Sequence, residues 1–465
     1  MHLNLEKIES KRIAIIDDFR SITYGELIDE ANSFASNFKK SDLVFQIADN
    51  SIDSFVAHYG LVNNGIVSLI LSHEINQDLL QNLVEIYSPN YIVTRNNESN
   101  IKYSNYEFTQ IGNHTVYSLH NELININSQV EFLMSTSGST GSPKLVKYKK
   151  GNLTTNAINV SKSFEWTENE VSLCSLPLNY TMGLNVINSQ LVVGAKVVLT
   201  NHNVVSLEHW NLIDKYQITN FTGVPFSYEV MKKFRIFNKE LPSLKTLCSG
   251  GGKLTSQLFK DIAEYTAKHG KRFISSFGTT ETSARMMMLD PKLVFEKNQS
   301  IGKPINGGRA ELITDNGNII NEADTPGELV YYGPNVTLGY ATNKMELNLP
   351  DEFKGEYHTG DIAIRDNEGF YYIKGRLKRF IKITGNRIGL DEVENFVSSQ
   401  FNIPVAVTGE DENLQVFIED EKLSEEIRAY ISEKIDISIL SITVNIITNI
   451  PRNESGKIKY KDLEW

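Results

Sequence analysis

Residues 130–144 read Val-Glu-Phe-Leu-Met-Ser-Thr-Ser-Gly-Ser-Thr-Gly-Ser-Pro-Lys, an apolar strand followed by a loop of hydroxyls and glycines that ends in a lysine. Glycines let several backbone N–H groups converge on one anion, hydroxyls supply further donors, and Lys144 adds positive charge. The spacing of a Walker A loop is absent. Taken alone, the stretch fits a phosphate-binding loop or an ordinary surface loop, so the rest of the chain has to decide between them.

Both flanks of this loop alternate short β-rich runs with helical patterns. Before it, apolar runs at 43–47, 66–71 and 91–94 predict buried strands, and residues 51–64 and 75–88 show helical spacing. The same alternation returns between residues 171 and 280, where the predicted helices are 184–193, 207–216, 226–237 and 256–269. Strands that alternate with helices indicate βαβ units and a mainly parallel sheet.

The pattern changes near residue 305. Turn signals at 315–317 and 366–369 separate short β runs such as 328–332 and 370–374, which predicts hairpins and a small β-barrel over about 305–375. We therefore predict an α/β fold, in part α+β, with a large N-terminal body of stacked αβ sheets plus that barrel at residues 1–375. A small, mobile α+β cap follows at residues 376–465.

Composition limits the possible partners. The chain has 465 residues, with 46 Lys and Arg against 57 Asp and Glu, hence a net charge of −11. This balance argues against a nucleic acid polymer as partner, but not against one small anion. No run reaches the ~20 apolar residues of a membrane span, and the N-terminus does not resemble a signal peptide, so we expect a cytoplasmic protein. Cys174 and Cys248 lie in apolar runs and are predicted to be buried, inert thiols.

Four further segments follow the loop along the chain: FGTTE at 277–281, YHTGD at 357–361, GRLKRFIK at 375–382 and PRNESGK at 451–457. Together with the loop, and in the same order, they resemble the motifs of the adenylate-forming (AMP-binding) superfamily. That superfamily comprises acyl-CoA synthetases, peptide-synthetase adenylation domains and firefly-type luciferases. YGEL at 24–27 and SGGG at 249–252 extend the resemblance to nearly the whole chain, which looks most like a compact stand-alone acyl-CoA or acyl-carrier-protein ligase.

The resemblance implies a two-step reaction. ATP activates a carboxylic acid to acyl-AMP with release of pyrophosphate, and the acyl group then forms a thioester on CoA or on the phosphopantetheine of an acyl or peptidyl carrier protein. It implies Lys457, Thr280 and Glu281 as catalytic residues. Lys457 would offset charge at the α-phosphate and the substrate carboxylate, and Thr280 would offer its hydroxyl to the α-phosphate. Glu281 would be a hard oxygen ligand for Mg²⁺, with Thr136 as a second metal-site residue.

The resemblance also implies a nucleotide site, a hinge and a thiol channel. Asp361 and Arg376 would hold the ribose hydroxyls, Lys378 would be the hinge about which the cap turns, and Gly385 would line the thiol channel. The remaining implied nucleotide contacts are Thr136, Ser137, Gly138, Ser139, Thr140, Gly141 and Lys144 for the phosphates, Gly250, Gly251, Gly252 and Phe277 around the adenine, and Ser276 and Gly278.

The predicted acyl pocket rests on a departure from the family pattern. Residues 176–183 read LPLNYTMG, with Tyr180 in the place of a motif histidine or aromatic residue. The aspartate that amino-acid adenylation domains place in this region is absent, which favours an apolar or lightly polar acid. We assign Tyr180, Met182, Val224, Phe226 and Thr279 to the pocket, although ordinary core packing explains these residue types equally well.

Alternative functions stay open at this point. A stand-alone amino-acid-activating enzyme and a non-catalytic nucleotide-binding protein would share the fold. The second is disfavoured because Thr280, Glu281, Asp361, Arg376 and Lys457 are all present. An α/β hydrolase would need a Gly-x-Ser-x-Gly elbow, which the chain lacks, and no His/Cys spacing suggests zinc.

Overall fold

The computed structural model describes residues 2–96, 106–135, 144–377, 379–383, 386–453 and 456–463, with residues 386 and 387 described by their backbone alone. The α-helices within these ranges are α1 (Tyr24–Ala35), α2 (Ile52–Asn63), α3 (Gln77–Tyr87), α4 (Asn152–Phe164), α5 (Thr181–Leu191), α6 (Leu207–Tyr216), α7 (Pro225–Lys233), α8 (Ser256–Lys268), α9 (Leu390–Phe401) and α10 (Ser424–Ile435).

The strands follow in chain order. They are β1 (Ile13–Ile16), β2 (Ser21–Thr23), β3 (Leu43–Ala48), β4 (Val67–Ser72), β5 (Tyr91–Arg95), β6 (Glu107–Ile111), β7 (His114–Ser118), β8 (Val130–Ser135), β9 (Leu145–Lys149), β10 (Val171–Cys174), β11 (Lys196–Leu199), β12 (Asn220–Gly223), β13 (Thr246–Ser249), β14 (Arg272–Phe277), β15 (Met287–Met288), β16 (Lys303–Pro304), β17 (Arg309–Ile313), β18 (Gly327–Tyr332), β19 (Tyr340–Ala341), β20 (Glu356–Arg365), β21 (Tyr371–Arg376), β22 (Phe380–Ile383), β23 (Asn386–Gly389), β24 (Ala406–Glu410), β25 (Asn413–Ile418) and β26 (Ile442–Ile446).

Two large sheets form the N-terminal part. One has the order β16-β15-β14-β13-β12-β10-β11-β1-β2, and the other the order β19-β9-β8-β4-β3-β5-β7-β6. Their central strands are parallel, and antiparallel strands lie at the edges. One apolar cluster joins Phe132 and Met134 of the second sheet to Val197 and Leu199 of the first, through residues of α1, α2 and α5. This packing confirms the predicted α/β body of stacked sheets.

A third sheet occupies the region of the predicted barrel. It is antiparallel, with the order β17-β18-β20-β21. Among the described residues it is an open four-stranded sheet, because β17 and β21 are its two edges. Asp361 of β20 lies opposite Arg376 of the edge strand β21. The hairpin therefore sets two of the predicted site residues side by side.

Two local structures are not predicted from the sequence. Helix α7 ends at Lys233 and not at Phe237, because Arg235 has a left-handed backbone (φ 55°) and a short 3-10 turn follows. The YGEL segment begins α1, with Thr23 and Glu26 forming a capping box. The Tyr24 hydroxyl donates a 2.6 Å hydrogen bond to the Ala195 carbonyl, so this motif fixes α1 to the first sheet.

The C-terminal part has an apolar core of its own. Strands β22–β26 and helices α9 and α10 enclose Ile383, Val397, Val416 and Ile431, all of them buried. A unit with a separate core can move as a body. The boundary at residues 375 and 376 and the mobility of this cap stay predictions. In the ranges given above, no helix is both long and apolar enough to cross a membrane.

Candidate active site

The glycines after β13 make room for predicted acyl-pocket side chains. A Cβ atom on Gly250 would lie 2.6 Å from Met182 Cε, and one on Gly251, whose φ is +77°, would lie 2.3 Å from Tyr180 Oη. The Ser276 hydroxyl donates a 2.8 Å hydrogen bond to the Ser249 carbonyl, which joins the ends of β13 and β14. The predicted nucleotide residues and the predicted acyl-pocket residues are therefore neighbours at the carboxyl ends of β13 and β14.

Glu281 lies in the short turn that follows β14, and its side chain is nearly buried (9% exposed). One of its carboxylate oxygens accepts a 2.8 Å hydrogen bond from the Tyr340 hydroxyl. Burial, reinforced by the charge of Glu281, raises the pKa of Tyr340, so the phenol stays a donor at neutral pH. The Lys144 ammonium lies 3.1 Å from the centre of the Tyr340 ring. Tyr340 thus contacts both the candidate metal ligand and the lysine of the phosphate loop.

Thr280 is positioned by both large sheets. The hydroxyl of Tyr148, on β9, donates a 2.8 Å hydrogen bond to the Thr280 carbonyl, and the Thr181 hydroxyl lies 3.3 Å from the Thr280 hydroxyl. Gly278 allows the tight turn here, since a Cβ atom on it would lie 1.4 Å from the Ala284 carbonyl oxygen. The Thr280 hydroxyl is consequently held at the point where the two sheets meet.

Asp361 and Arg376 form a pair with one oxygen left over. Arg376 Nε donates to Asp361 Oδ1 at 3.0 Å, and Asp361 is 2% exposed. Asp361 Oδ2 is buried and has no hydrogen-bond partner in the described residues. Burial raises the pKa of Asp361 to about 6, against the opposing charge of Arg376. A buried acceptor without a partner is costly, so this oxygen fits a ligand hydroxyl such as that of ribose.

Lys457 extends from the C-terminal unit toward the same site. Its ammonium lies 5.5 Å from the centre of the Tyr180 ring, and its backbone N–H donates to Asn453 Oδ1 at 2.9 Å. Burial, together with the charge of Arg376, lowers the pKa of Lys457, whereas Glu281 and Asp361 act in the opposite direction. The predicted cation and both predicted carboxylates therefore share one electrostatic environment.

The loop that carries Lys457 packs against the predicted acyl pocket. A Cβ atom on Gly456, whose φ is +77°, would lie 3.0 Å from Val224 Cγ2 and 3.1 Å from Phe226 Cβ. Arg452 Nη1 donates a 3.0 Å hydrogen bond to the Gly456 carbonyl. These four residues also line a cavity of about 240 Å³. The C-terminal unit thus closes one side of this cavity.

Three predicted residues are placed in less informative surroundings. Phe277 packs beside the apolar cluster of the third sheet, and a Cβ atom on Gly252 would lie 3.0 Å from Pro225 Cγ. The Thr279 hydroxyl lies 3.3 Å from the Thr282 hydroxyl, which supports the turn that carries Thr280. Outside the described residues lie Thr136, Ser137, Gly138, Ser139, Thr140, Gly141, Lys378 and Gly385.

The donor set bears on the expected magnesium. Within the described part of the chain, no three His, Cys, Asp or Glu residues lie close enough to hold a metal by themselves. Glu281 is the predicted carboxylate ligand, which fits an ion that takes its other ligands from water and nucleotide phosphates.

The two cysteines are not candidates for this chemistry, as the sequence predicts. Cys174 and Cys248 are buried, and burial raises the pKa of Cys174 to about 12 and that of Cys248 to about 11. Both side chains are therefore thiols at neutral pH and poor nucleophiles.

Tyr340 and Tyr148 are functional candidates that sequence reasoning missed. Each acts through a contact between segments far apart in the chain, and neither belongs to one of the quoted motifs. Nothing in their local patterns distinguishes them from ordinary strand tyrosines.

Comparison with known proteins is consistent with this geometry. Residues 6–341 match the AMP-binding enzyme family. Oxalate–CoA ligase from Arabidopsis thaliana is 28% identical over 353 residues, which cover 73% of this chain and 68% of that protein. 2-Succinylbenzoate–CoA ligase from Oceanobacillus iheyensis is 25% identical over 474 residues, which cover 96% of this chain and 95% of that protein.

Solved structures agree in fold. o-Succinylbenzoate CoA synthetase (MenE) from Bacillus subtilis, in complex with the acyl-adenylate OSB-AMP, has a TM-score of 0.79 and 22% identity, and the match covers 99% of this chain and 96% of that one. McyG A-PCP, complexed with phenylalanyl-adenylate, has a TM-score of 0.77 and 20% identity. The match covers 99% of this chain and 82% of that one.

Proposed function

Because the chain belongs to the AMP-binding enzyme family, we propose that Glu281, Asp361, Arg376 and Lys457 carry the chemistry of an AMP-forming acid–thiol ligase in it. The enzyme activates a carboxylic acid with ATP to acyl-AMP, releases pyrophosphate and passes the acyl group to a thiol. One observation carries the assignment of residues: Lys457 of the C-terminal unit shares its electrostatic environment with Glu281, Asp361 and Arg376 of the N-terminal part.

The first step brings the substrate carboxylate close to the phosphates of ATP. The negative charges of these groups must be offset, and the four residues can bind the nucleotide and offset charge. The unpartnered Asp361 Oδ2 would accept a ribose hydroxyl, with Arg376 as a neighbouring donor. Glu281, oriented by Tyr340, would hold Mg²⁺, which when bound neutralises phosphate charge. The carboxylate oxygen of the acid attacks the α-phosphorus as the bond to pyrophosphate breaks. Lys457 would offset the charge on both reacting groups.

The second step transfers the acyl group from AMP to sulfur. A thiolate attacks the acyl carbon, the bond to the phosphate oxygen breaks, and AMP leaves. We propose CoA as the acceptor, because the curated relatives that span nearly the whole chain are CoA ligases. A carrier protein is the second candidate, supported only by the likeness in fold to McyG A-PCP. Lys378 as hinge, Gly385 as channel residue and the cytoplasmic location stay predictions.

The acid would lie between the first sheet and the C-terminal unit. Tyr180 and Met182 approach the glycines after β13, and Val224 and Phe226 contact Gly456. The side chains that meet there are aromatic and apolar. They would therefore enclose the carbon skeleton of the acid and leave its reacting carboxylate facing Lys457.

A half-reaction assay tests the role of Lys457. Pyrophosphate release, screened over fatty, aryl, hydroxy and amino acids with CoA and with holo-carrier protein, identifies a working acid, and ATP–pyrophosphate exchange then follows the first step alone. With that acid, Lys457→Ala should lower exchange by about 100-fold, since a charge-stabilising contact at the reacting phosphate is lost. Transfer from preformed acyl-AMP should survive.

The matched control is Lys459→Ala, on the same loop. Lys459 is exposed and pairs with Asp462, so both half-reactions should stay at the level of the unmodified enzyme. Full exchange in Lys457→Ala would overturn the assigned role. Nucleotide binding without pyrophosphate release for every acid would instead indicate a non-catalytic binder.

A further inference from the structure

Arg285 is a buried cation that the proposed mechanism does not use. It is 1% exposed, just beyond the turn that carries Thr280 and Glu281. Its Nη1 donates to Asn185 Oδ1 at 2.9 Å and its Nη2 to Thr222 Oγ1 at 3.0 Å, whereas Nε has no partner among the residues that the structure describes. Both partners are neutral. In the described residues, no carboxylate lies within ion-pair distance of this guanidinium.

The surroundings of Arg285 do not supply the missing negative charge. Burial raises the pKa of Tyr180 to about 12, and the pKa values of the nearby Cys174 and Cys248 are raised as well, so all three groups are neutral at pH 7. The Phe164 ring, 4.8 Å from Arg285 Cζ, offers only a cation–π contact. A buried charge of this kind is costly unless an anion pairs with it.

The two partners of Arg285 place it under the predicted acyl pocket. Asn185 lies one helical turn after Met182 in α5, and Thr222 precedes the pocket residue Val224 at the end of β12. The charge of Arg285 also acts on Tyr180, which borders the same pocket. A substrate group that extended past these side chains would contact a guanidinium whose hydrogen-bond donors are only partly used.

We propose that Arg285 determines substrate specificity, and that the preferred acid carries a second carboxylate, which pairs with Arg285 at the closed end of the acyl pocket. The inference rests on the proposed function, since it assumes that the acid lies against Tyr180 and Met182. It departs from the apolar or lightly polar acid that the sequence favours. A second carboxylate would supply acceptors for the donors of Arg285 that remain unused.

Matched pairs of acids test the proposal. Pyrophosphate release is measured for straight-chain diacids from malonic to suberic acid and for benzene dicarboxylic acids, each against the monoacid of equal skeleton. We expect at least one diacid to exceed its monoacid by about tenfold or more in kcat/KM, in line with a charge-assisted contact. If every monoacid equals or exceeds its diacid, the proposal is overturned.

Variants separate a specificity role from a structural one. Arg285→Met should raise KM for the diacid by about tenfold or more relative to KM for the monoacid, and Arg285→Lys should restore part of the preference. A merely structural arginine would leave the diacid-to-monoacid ratio unchanged in both variants, which would overturn the proposal. If Arg285→Met does not fold, Asn185→Asp decides, because a carboxylate built in beside Arg285 should abolish the diacid preference.

Failure of this inference differs from failure of the proposed function. Monoacids that are activated in a Lys457-dependent way, with no diacid preferred, would leave the ligase assignment intact and exclude the role of Arg285. Absence of pyrophosphate release with every mono- and diacid would contradict both.

Discussion

The Tyr340 hydroxyl donates a 2.8 Å hydrogen bond to the Glu281 carboxylate, from a strand of one large sheet to a turn at the end of the other. The same ring faces the Lys144 ammonium at 3.1 Å. One side chain therefore links the candidate metal ligand to the phosphate-loop lysine. Its hydroxyl and its ring can be removed separately, which makes the link testable.

Tyr340→Phe keeps the ring and removes the hydrogen bond to Glu281. A hydrogen bond to a charged group contributes about 1.5–3 kcal/mol, so we expect exchange activity to fall by roughly 10-fold to 100-fold. The Mg²⁺ concentration that gives half-maximal activity should rise. Titration of ATP–pyrophosphate exchange with Mg²⁺ measures both effects. Tyr340→Leu, which also removes the ring near Lys144, should in addition raise KM for ATP. Equal Mg²⁺ dependence in Tyr340→Phe and the unmodified enzyme would contradict the positioning role.

Nucleotide binding should weaken below pH 6. The pKa of Asp361 is raised to about 6 by burial, so at lower pH the ligand-free protein holds a proton there. A ribose hydroxyl that donates to the carboxylate favours its ionised form and so releases that proton. We expect the Kd for AMP to increase by up to about tenfold per pH unit below 6.

Calorimetry in buffers of different ionisation enthalpy measures the proton released on binding. Asp361→Asn should bind AMP weakly at every pH and should release no proton at this step. The same raised pKa makes Asp361 stabilise the fold at low pH, and this contribution is lost as the pH rises through about 6. Proton release that persists in Asp361→Asn would assign it to another group.

Gly456→Ala should disturb the contact between the C-terminal unit and the acyl pocket. Gly456 has φ +77°, and a Cβ atom there would press on Val224 and Phe226. Left-handed backbone alone costs about 1–2 kcal/mol for other residues. We expect ATP–pyrophosphate exchange to fall by about tenfold, with less effect on acyl transfer from preformed acyl-AMP, if closure of this unit serves the first step.

The matched control for Gly456 is Gly270→Ala. Gly270 has φ +64°, and a Cβ atom there would meet no atom within 4 Å. This substitution carries the backbone strain without the contact, so it should lower thermal stability and leave the ratio of the two half-reactions unchanged. If both variants change that ratio equally, strain and not the contact is responsible.

Glu394 should hold the C-terminal unit together. Its carboxylate accepts hydrogen bonds from Arg379 Nη2 at 2.9 Å, from the Val407 N–H at 2.7 Å and from the Tyr460 hydroxyl at 3.1 Å. Glu394→Ala removes the acceptor of the Val407 N–H and of the Tyr460 hydroxyl, whereas Arg379 keeps its ion pair with Asp391, so the unit should be destabilised by about 1–3 kcal/mol. Hydrogen exchange over residues 379–463 measures this, with the exposed Glu433→Ala of α10 as a control that should change little. Unchanged protection in Glu394→Ala would show that the network is dispensable.

The sequence predicts those features that are written in short stretches. Apolar runs locate the central strands β3, β4 and β5 of the second sheet, and helix α6 lies where its spacing predicts it. The resemblance implies that Asp361 and Arg376 share a ribose site, and the structure pairs them on neighbouring strands. In each case, the signal and the structure involve the same few residues.

Contacts between distant segments leave no such signal. Tyr340 reaches Glu281 only because β19 pairs with β9 at the edge of the second sheet. The environment of Arg285 depends on α5 and β12, far away in the sequence, so its sequence neighbours do not reveal that no carboxylate of the described residues pairs with it. The early end of α7 depends on the backbone of Arg235, a residue type that gives no warning of a left-handed turn.

Asp361 and Arg376 both precede the predicted hinge at residue 378, on strands that are paired with each other. A rotation that began at residue 378 would therefore leave this pair in place. The residues that bind the nucleotide part of the acyl-adenylate would not move with the C-terminal unit. That unit would bring first Lys457 and then the thiol to the bound intermediate. The acyl-adenylate would stay in one binding site during both half-reactions. Its reactive anhydride would therefore not have to move between two sites, where water could hydrolyse it.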